Sequence, residues 1–328
     1  MAQRKIDSGK VLVGLAAVGL AALWYGNARI DKWETLTSED APDGEFVTLE
    51  DGSRVHYIVA GQGHPVILVH GWRDSGYTWR KNIPDLAKYF RVYALDLPGF
   101  GFSTRYAEAI YTVPQFARWV AQFMKALKIP SAHIVGNSLG GATALELSYE
   151  RPELVDKLVL EDAWAYPFLE QSAWLVRMLP RFVPRGLLGA LATNRWAHKV
   201  FAHSSLGDPA RFDPESIEIA IRSSRVRGSI EAIVAMVELP MGHNVWRRFD
   251  RCQSETLVIW GERDITFPVS HGYRLARELP NARLMVLPKA GHLPHSECPE
   301  LVNEMLVNFL TQTDGRIIEQ TKVLEMIG

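Results

Sequence analysis

The chain has 328 residues, 47% hydrophobic, 22% charged and 10% aromatic, and its 36 Lys+Arg against 37 Asp+Glu leave a formal net charge of −1. That length and apolar content supply one large domain or two small ones with a real core, and they exclude a disordered chain, a collagen and a coiled coil. The balanced charge argues against broad binding to nucleic acid, and two cysteines, Cys252 and Cys298, are too few for a disulfide scaffold and lack metal-finger spacing.

Residues 11–28 carry no charge and are bracketed by Lys10 and Arg29. As a helix of 18 residues they would reach about 27 Å, close to the apolar thickness of a bilayer. The expectation for residues 1–28 is therefore a single-pass N-terminal membrane anchor, with Trp24 and Tyr25 at an interface. Arg4, Lys5 and Lys10 put the N-terminus in the cytoplasm and the bulk of the chain on the non-cytoplasmic side. Two rival readings stay open. One is a signal peptide cleaved near Gly26-Asn27-Ala28, giving a secreted or periplasmic protein; the other is a buried or interfacial helix of the soluble domain. Residues 29–45, polar over 38–44, read as a linker.

From residue 46 onward short β-branched runs alternate with amphipathic stretches. Strands are predicted at 46–49, 55–60, 66–69, 92–95, 133–135, 157–160, 256–260 and 283–287, and helices at 79–89, 113–127, 138–150, 270–278 and 299–310. Asp51-Gly52 joins the first two strands as a hairpin. The later alternation of strand and helix predicts a mostly parallel eight-stranded sheet with helices on both faces. Residues 163–246 break the rhythm: they hold no strand and are rich in Trp, Leu, Phe, Arg and Pro, which predicts a helical insertion between the sixth and seventh strands. The tail, 313–328, shows no assignable pattern.

Gly136-Asn137-Ser138-Leu139-Gly140 fits G-x-S-x-G, with an apolar strand leading in and an Ala/Leu-rich helix leading out. In that context the serine occupies a strained turn with its hydroxyl exposed above the sheet. The bland alternative is a helix N-cap serine followed by a packing glycine. A serine hydroxyl needs a base, and His292, in the loop Pro288-Lys289-Ala290-Gly291-His292, is the candidate. Of the other histidines, His70 reads as a structural residue below the loop His70-Gly71-Trp72, and His295 as a helix lead-in. The imidazole in turn needs an acid. Asp264, in Trp260-Gly261-Glu262-Arg263-Asp264, fits best, and Asp162 at the end of the preceding strand is the competitor. The backbone N–H groups of Leu139 and Trp72 are the candidate oxyanion donors.

Serine, acid and histidine in that order, together with HGW, Asp96-Leu97-Pro98-Gly99-Phe100-Gly101, GNSLGG, WGERD and GH, resemble the α/β-hydrolase superfamily over residues 46 to 312 apart from the insertion. The resemblance implies a catalytic core, 46–162 and 247–312, under a mobile helical cap, 163–246, with Ser138, Asp264 and His292 as triad. It implies no metal and no organic cofactor. Aspartate-nucleophile branches are disfavoured by Ser138. The Asn137-Ser138 pair looks like that of C–C bond hydrolases of aromatic ring-fission products, although Leu293 stands where they carry tryptophan, and Arg222 or Arg225 would have to serve as their cap arginine.

Trp164, Tyr166, Phe168, Trp174, Met178, Phe182, Trp196 and Met236 give the cap more aromatic and thioether surface than a short lid requires. They either pack the cap onto the core or line an apolar acyl pocket. The expected function is a serine esterase, lipase-like, cleaving apolar or lipid-derived esters such as monoacylglycerols. The alternatives are a C–C hydrolase of ring-fission diketones and, from another class, a non-catalytic hydrolase-fold binding protein. The partners expected are a small apolar ester and a membrane held through the N-terminal helix, with no nucleic acid.

Overall fold

The computed structural model describes residues 8–106, 110–167, 182–238 and 245–312. Eight strands form one sheet in the order β1-β2-β4-β3-β5-β6-β7-β8. They are β1 (Glu45–Thr48), β2 (Arg54–Ala60), β3 (Pro65–Val69), β4 (Arg91–Leu95), β5 (Ala132–Asn137), β6 (Val155–Glu161), β7 (Glu255–Gly261) and β8 (Ala282–Leu287). β1–β2 and β2–β4 pair antiparallel, and every later pairing is parallel. The predicted strands are all present, with ends moved by one or two residues.

The central strands are apolar on both faces because both faces are covered. Along β3, Val66 and Leu68 join a layer with Trp79, Leu86, Val302 and Leu306. Ile67 and Val69 point the other way, into a layer with Phe116, Val120 and Leu145. This is the period-two alternation of a strand; burying each such side chain contributes about 2 kcal/mol. The first layer is closed by α2 (Ile83–Leu86) and by a helix that ends the described chain. The second is closed by α3 (Val113–Ala126) and α4 (Leu139–Glu150). The single helix expected over 79–89 is instead a 3-10 turn, Gly76–Lys81, followed by α2, because Pro84 starts a new helix at its first turn.

The cap follows β6 as α5 (Phe182–Ala192), α6 (Arg195–Ser204), α7 (Pro214–Ser224) and α8 (Ser229–Glu238). Asn194 and Asp213 set two of these starts by accepting from Trp196 N and Glu215 N. The core then resumes with β7, α9 (Val269–Glu278), β8, α10 (Pro294–Glu297) and α11 (Pro299–Thr311). Both cysteines are free and buried.

The N-terminal expectation is corrected. Residues 8–33 form a helix, α1 (Ser8–Trp33), but among the described residues no helix is long and apolar enough to cross a membrane. That overturns the single-pass anchor and the sidedness derived from it. The C-terminal half of α1 is built into the cap. Gly26 lies against the backbone of Gly186, and Ile30 is buried with Ala192, Ile230 and Val234. Asn27 Nδ2 donates to Phe182 O at 3.0 Å, and Trp33 Nε1 donates to Ser224 Oγ at 3.0 Å. The small residues that resemble a membrane helix, or a cleavage site, are here the means of close approach between α1 and α5. The expected linker, 29–45, begins inside α1 and is pinned to the cap as well: Leu36 N donates to Arg225 O, and Glu34 accepts from Gly228 N and Ile230 N. Residues 1–7 and 313–328, and the cap candidates Phe168, Trp174 and Met178, lie outside the described residues.

Candidate active site

Ser138 sits between the C-terminal end of β5 and the start of α4, with φ 55° and ψ −115°. A non-glycine residue there is strained and is held only by what surrounds it. Ser138 N donates to Glu161 O at 2.9 Å, and its carbonyl accepts from Trp164 N at 3.0 Å. The turn is this tight because two neighbours lack side chains. A Cβ on Gly136 would lie 2.4 Å from Gly140 O, and one on Gly140 would lie 2.2 Å from Val69 O. Gly71 packs on the turn in the same way, with an added Cβ 3.2 Å from that of Ser138, so the Trp72 loop lies directly beside the serine. Leu139 opens α4, where its N–H has no partner within the helix and the helix dipole is positive.

His292 and Asp264 come from the loops after β8 and β7 and are both buried. Nδ1 of His292 is 2.8 Å from Asp264 Oδ2. A carboxylate only accepts, so Nδ1–H donates and Nε2 is left with its lone pair. Asp264 Oδ1 accepts from Thr266 N at 2.7 Å and Phe267 N at 3.1 Å. Asp162, the competing acid, lies behind this pair. Its Oδ1 accepts from Gly261 N at 3.0 Å, and it is fully buried with φ 39°. Burial, and then the negative charge of Asp264, push the Asp162 carboxyl well above the usual carboxylate range. A protonated Asp162 has a hydrogen to give Asp264, as two neighbouring carboxyls sharing a proton require.

Ser138, Leu139, Trp72 and His292 all line one cavity of about 780 Å³ between core and cap. Its wall is mainly apolar, with Phe100, Trp164, Phe201, Ile217, Ile233 and Met236. Of the cap residues singled out earlier, Trp164 and Met236 line it, whereas Trp196 and Phe182 are exposed elsewhere on the surface. Tyr166 packs outside it, its hydroxyl donating to Glu278 Oε2 at 3.0 Å. Arg222 and Arg225 do not reach the cavity. They turn outward to Asp40 O and Thr35 Oγ1, so neither is placed to serve as the cap arginine that the C–C hydrolase alternative would need.

His70 lies below the loop, accepting from Leu97 N at 3.0 Å and donating to Gly71 O at 2.7 Å. His295, expected to lead into a helix, lies within α10 and is fully buried. It bridges Glu161 Oε2 at 2.9 Å and Thr78 Oγ1 at 2.9 Å and stacks on Trp79.

Two residues escaped the sequence reading. Arg73 lines the cavity next to Trp72, at φ 62°. Three other arginines on this wall have oxygen partners: Arg80 pairs with Asp213, Arg211 with Asp208, and Arg105 donates to three carbonyls. Among the described residues, Arg73 has the faces of Trp72 and Phe201, 5.6 and 5.1 Å from its Cζ. Burial pushes its guanidinium below the ordinary value, with no counter-charge beside it among the described residues. The second residue is Glu297. Its Oε1 accepts from Gly291 N at 2.8 Å, and its Oε2 accepts from Gly207 N at 2.9 Å. One carboxylate therefore holds the histidine loop and the cap loop together, and His292 N donates to Ser205 O at 2.7 Å beside it.

A family model described as alpha/beta hydrolase fold matches residues 64–299. An uncharacterized hydrolase, YugF, of Bacillus subtilis is 31% identical over 261 residues, covering 78% of this chain and 92% of the relative. A 2-hydroxy-6-oxo-6-phenylhexa-2,4-dienoate hydrolase of Burkholderia cepacia is 28% identical, covering 83% of this chain and 97% of its own. The solved structure of a meta-cleavage product hydrolase from Pseudomonas fluorescens IP01 superposes with a TM-score of 0.67 at 26% identity, over 81% of this chain and 97% of that one.

Proposed function

The chain belongs to the α/β-hydrolase fold family and is a hydrolase; from that premise we propose that it cleaves carboxylic esters with apolar acyl groups, using Ser138, His292 and Asp264 as a triad. What carries this reading is the strained Ser138 sharing one apolar cavity with a histidine whose Nδ1 is already engaged by a buried carboxylate. His292 Nε2 takes the proton of Ser138 Oγ as the oxygen attacks the ester carbonyl. The N–H groups of Leu139 and Trp72 receive the oxyanion, and Asp264 supports the imidazolium. The tetrahedral centre collapses, His292 returns the proton to the departing alcohol, and an acyl-Ser138 is left. Water, deprotonated by His292, releases the acid and restores the serine. Ser138→Ala is expected to abolish labelling by a fluorophosphonate probe and hydrolysis across a series of p-nitrophenyl esters. Undiminished labelling of that variant rejects the mechanism.

One observation favours a second reading, cleavage of a C–C bond in a ring-fission product. The Burkholderia relative is named for a dienoate, a carboxylate, and Arg73 puts a positive charge on this cavity wall with no counter-charge among the described residues. An anionic substituent of the substrate would supply the missing counter-charge. Arg73→Gln separates the readings. If the natural substrate is anionic, kcat/KM for an acidic substrate falls by about tenfold or more relative to a neutral ester of equal length, an interaction worth roughly 1.4 kcal/mol. Parallel losses on both substrates support the neutral apolar ester.

A further inference from the structure

A second group of ligating side chains lies at the opposite edge of the sheet from Ser138. His64 is in the turn before β3, His133 is in β5 and Asp156 is in β6. One ligand atom from each lies within 4.8 Å of the other two. His64 Nε2 is 2.8 Å from Asp156 Oδ2, and the two imidazole rings have centroids 4.5 Å apart. His64 and Asp156 are exposed, whereas His133 is only 8% exposed and its Nδ1 is buried without a hydrogen-bond partner. The His64–Asp156 hydrogen bond accounts for two members of this group. It does not account for the buried His133 imidazole packed beside them, whose Nδ1 has no hydrogen-bond partner among the described residues, a costly state unless something binds it.

The backbone is irregular at this point and nowhere else along the pairing of β5 with β6. Ala132 pairs with Val155 and Ile134 with Leu158, so β6 carries one more residue than β5 across that interval. Such a bulge re-aims side chains. Asp156 and Lys157 both come to oppose His133. Lys157 Nζ is drawn away to Phe309 O at 2.7 Å and Gln312 O at 2.5 Å, which leaves the carboxylate beside the imidazoles.

We propose that His64, His133 and Asp156 form a binding site for a borderline divalent transition-metal ion such as zinc. Two imidazoles and one carboxylate suit zinc and its neighbours, whereas magnesium and calcium prefer all-oxygen sites. Metal–ligand bonds of about 2.0–2.2 Å bring ligand atoms to about 3.3 Å from one another. His133 is the fixed member, and the exposed His64 and Asp156 side chains are free to close onto it. Three protein ligands leave a coordination position for water on the solvent side. The ion ties the turn before β3 to β5 and β6 without touching Ser138, at the far end of β5, so its role is that of a clip on the sheet.

The test uses the full chain, stripped with a chelator and titrated with zinc chloride by calorimetry and thermal melting. The same titration is made in His64→Asn and Asp156→Asn, two exposed substitutions that leave the core intact, and in His292→Gln. One zinc per chain, a raised Tm, and a Kd weakened about tenfold or more in His64→Asn and Asp156→Asn but not in His292→Gln are expected. Cobalt bound at the site shows a visible d–d band that both exposed variants lose. The proposal is overturned by an absence of saturable zinc binding at millimolar metal, by unchanged affinity in the two exposed variants, or by a magnesium shift equal to that of zinc. Binding lost only in His292→Gln also overturns it, because the metal would then sit on Asp162, Asp264 and His292, the other cluster with compatible ligand spacing among the described residues.

Discussion

Position 162 shows how one carboxyl serves another. Asp162 is buried behind Asp264, and burial together with that neighbour's charge raises its pKa well above 3.8. The unfolded carboxyl ionises near 3.8 while the folded one keeps its proton, so above that pH the folded state binds more protons than the unfolded state. Stability therefore declines as pH rises from there toward the folded value. Asp162→Asn keeps an acceptor for Gly261 N and offers Asp264 an N–H in place of the O–H. It is expected to match the parent below pH 3.8 and to become progressively more stable than it toward neutrality. Urea midpoints across a pH series check this, and parallel curves for the two proteins contradict it. That Ser138, Asp264 and His292 would meet at one end of the sheet was legible in the sequence because each sits in a short motif with a strand before it. Asp162 was legible only as a rival acid. Arg73 and Glu297 were not legible, because no local pattern distinguishes a half-buried arginine on a cavity wall or a bridging glutamate from a solvated one.

Among the elements, α1 is where hydropathy misled. An uncharged run shows that a helix avoids water but not whether protein or lipid covers it, and the informative residues were the polar ones. Asn27 and Trp33 are hydrogen-bonded to the cap, which the apolar average hides. The α1–α5 contact rests on backbone approach: a Cβ on Gly26 would stand 2.0 Å from Gly186 O. Gly26→Leu is expected to prise the helices apart, expose Ile30 and lower stability by about 1–3 kcal/mol. Gly19→Leu is the control, because a Cβ there meets nothing within 4 Å. Melting curves with limited proteolysis of the cap measure both, and equal behaviour of the two variants contradicts the packing assignment. The strands were easier to read than α1, since β-branched runs between helices have few other uses. Only their ends shifted, as with β1 at Glu45–Thr48 against the expected 46–49.

For the whole molecule, the sheet and its two apolar layers were legible from alternation alone, and the cap was legible as the place where alternation stops. What could not be read was how the two parts meet, because that depends on contacts between distant segments: Gly207 with Gly291, Ser205 with His292, Leu36 with Arg225. The same limit hid His64, His133 and Asp156, which are brought together only by neighbouring strands and one irregular register. The apolar cavity belongs to neither part by itself. Core loops supply the floor that carries Ser138 and His292, and cap helices supply its walls.

Glu297 gives that meeting a consequence. Its two oxygens divide their acceptance between the segment bearing His292 and the segment leading out of α6. Whatever repositions residues 205–208 also withdraws an anchor from the imidazole, although none of those residues takes part in bond-making. Transplanting a foreign lid onto this core is consequently not a modular exchange: the graft would inherit the cavity walls of its donor and leave the recipient's His292 without part of its scaffold.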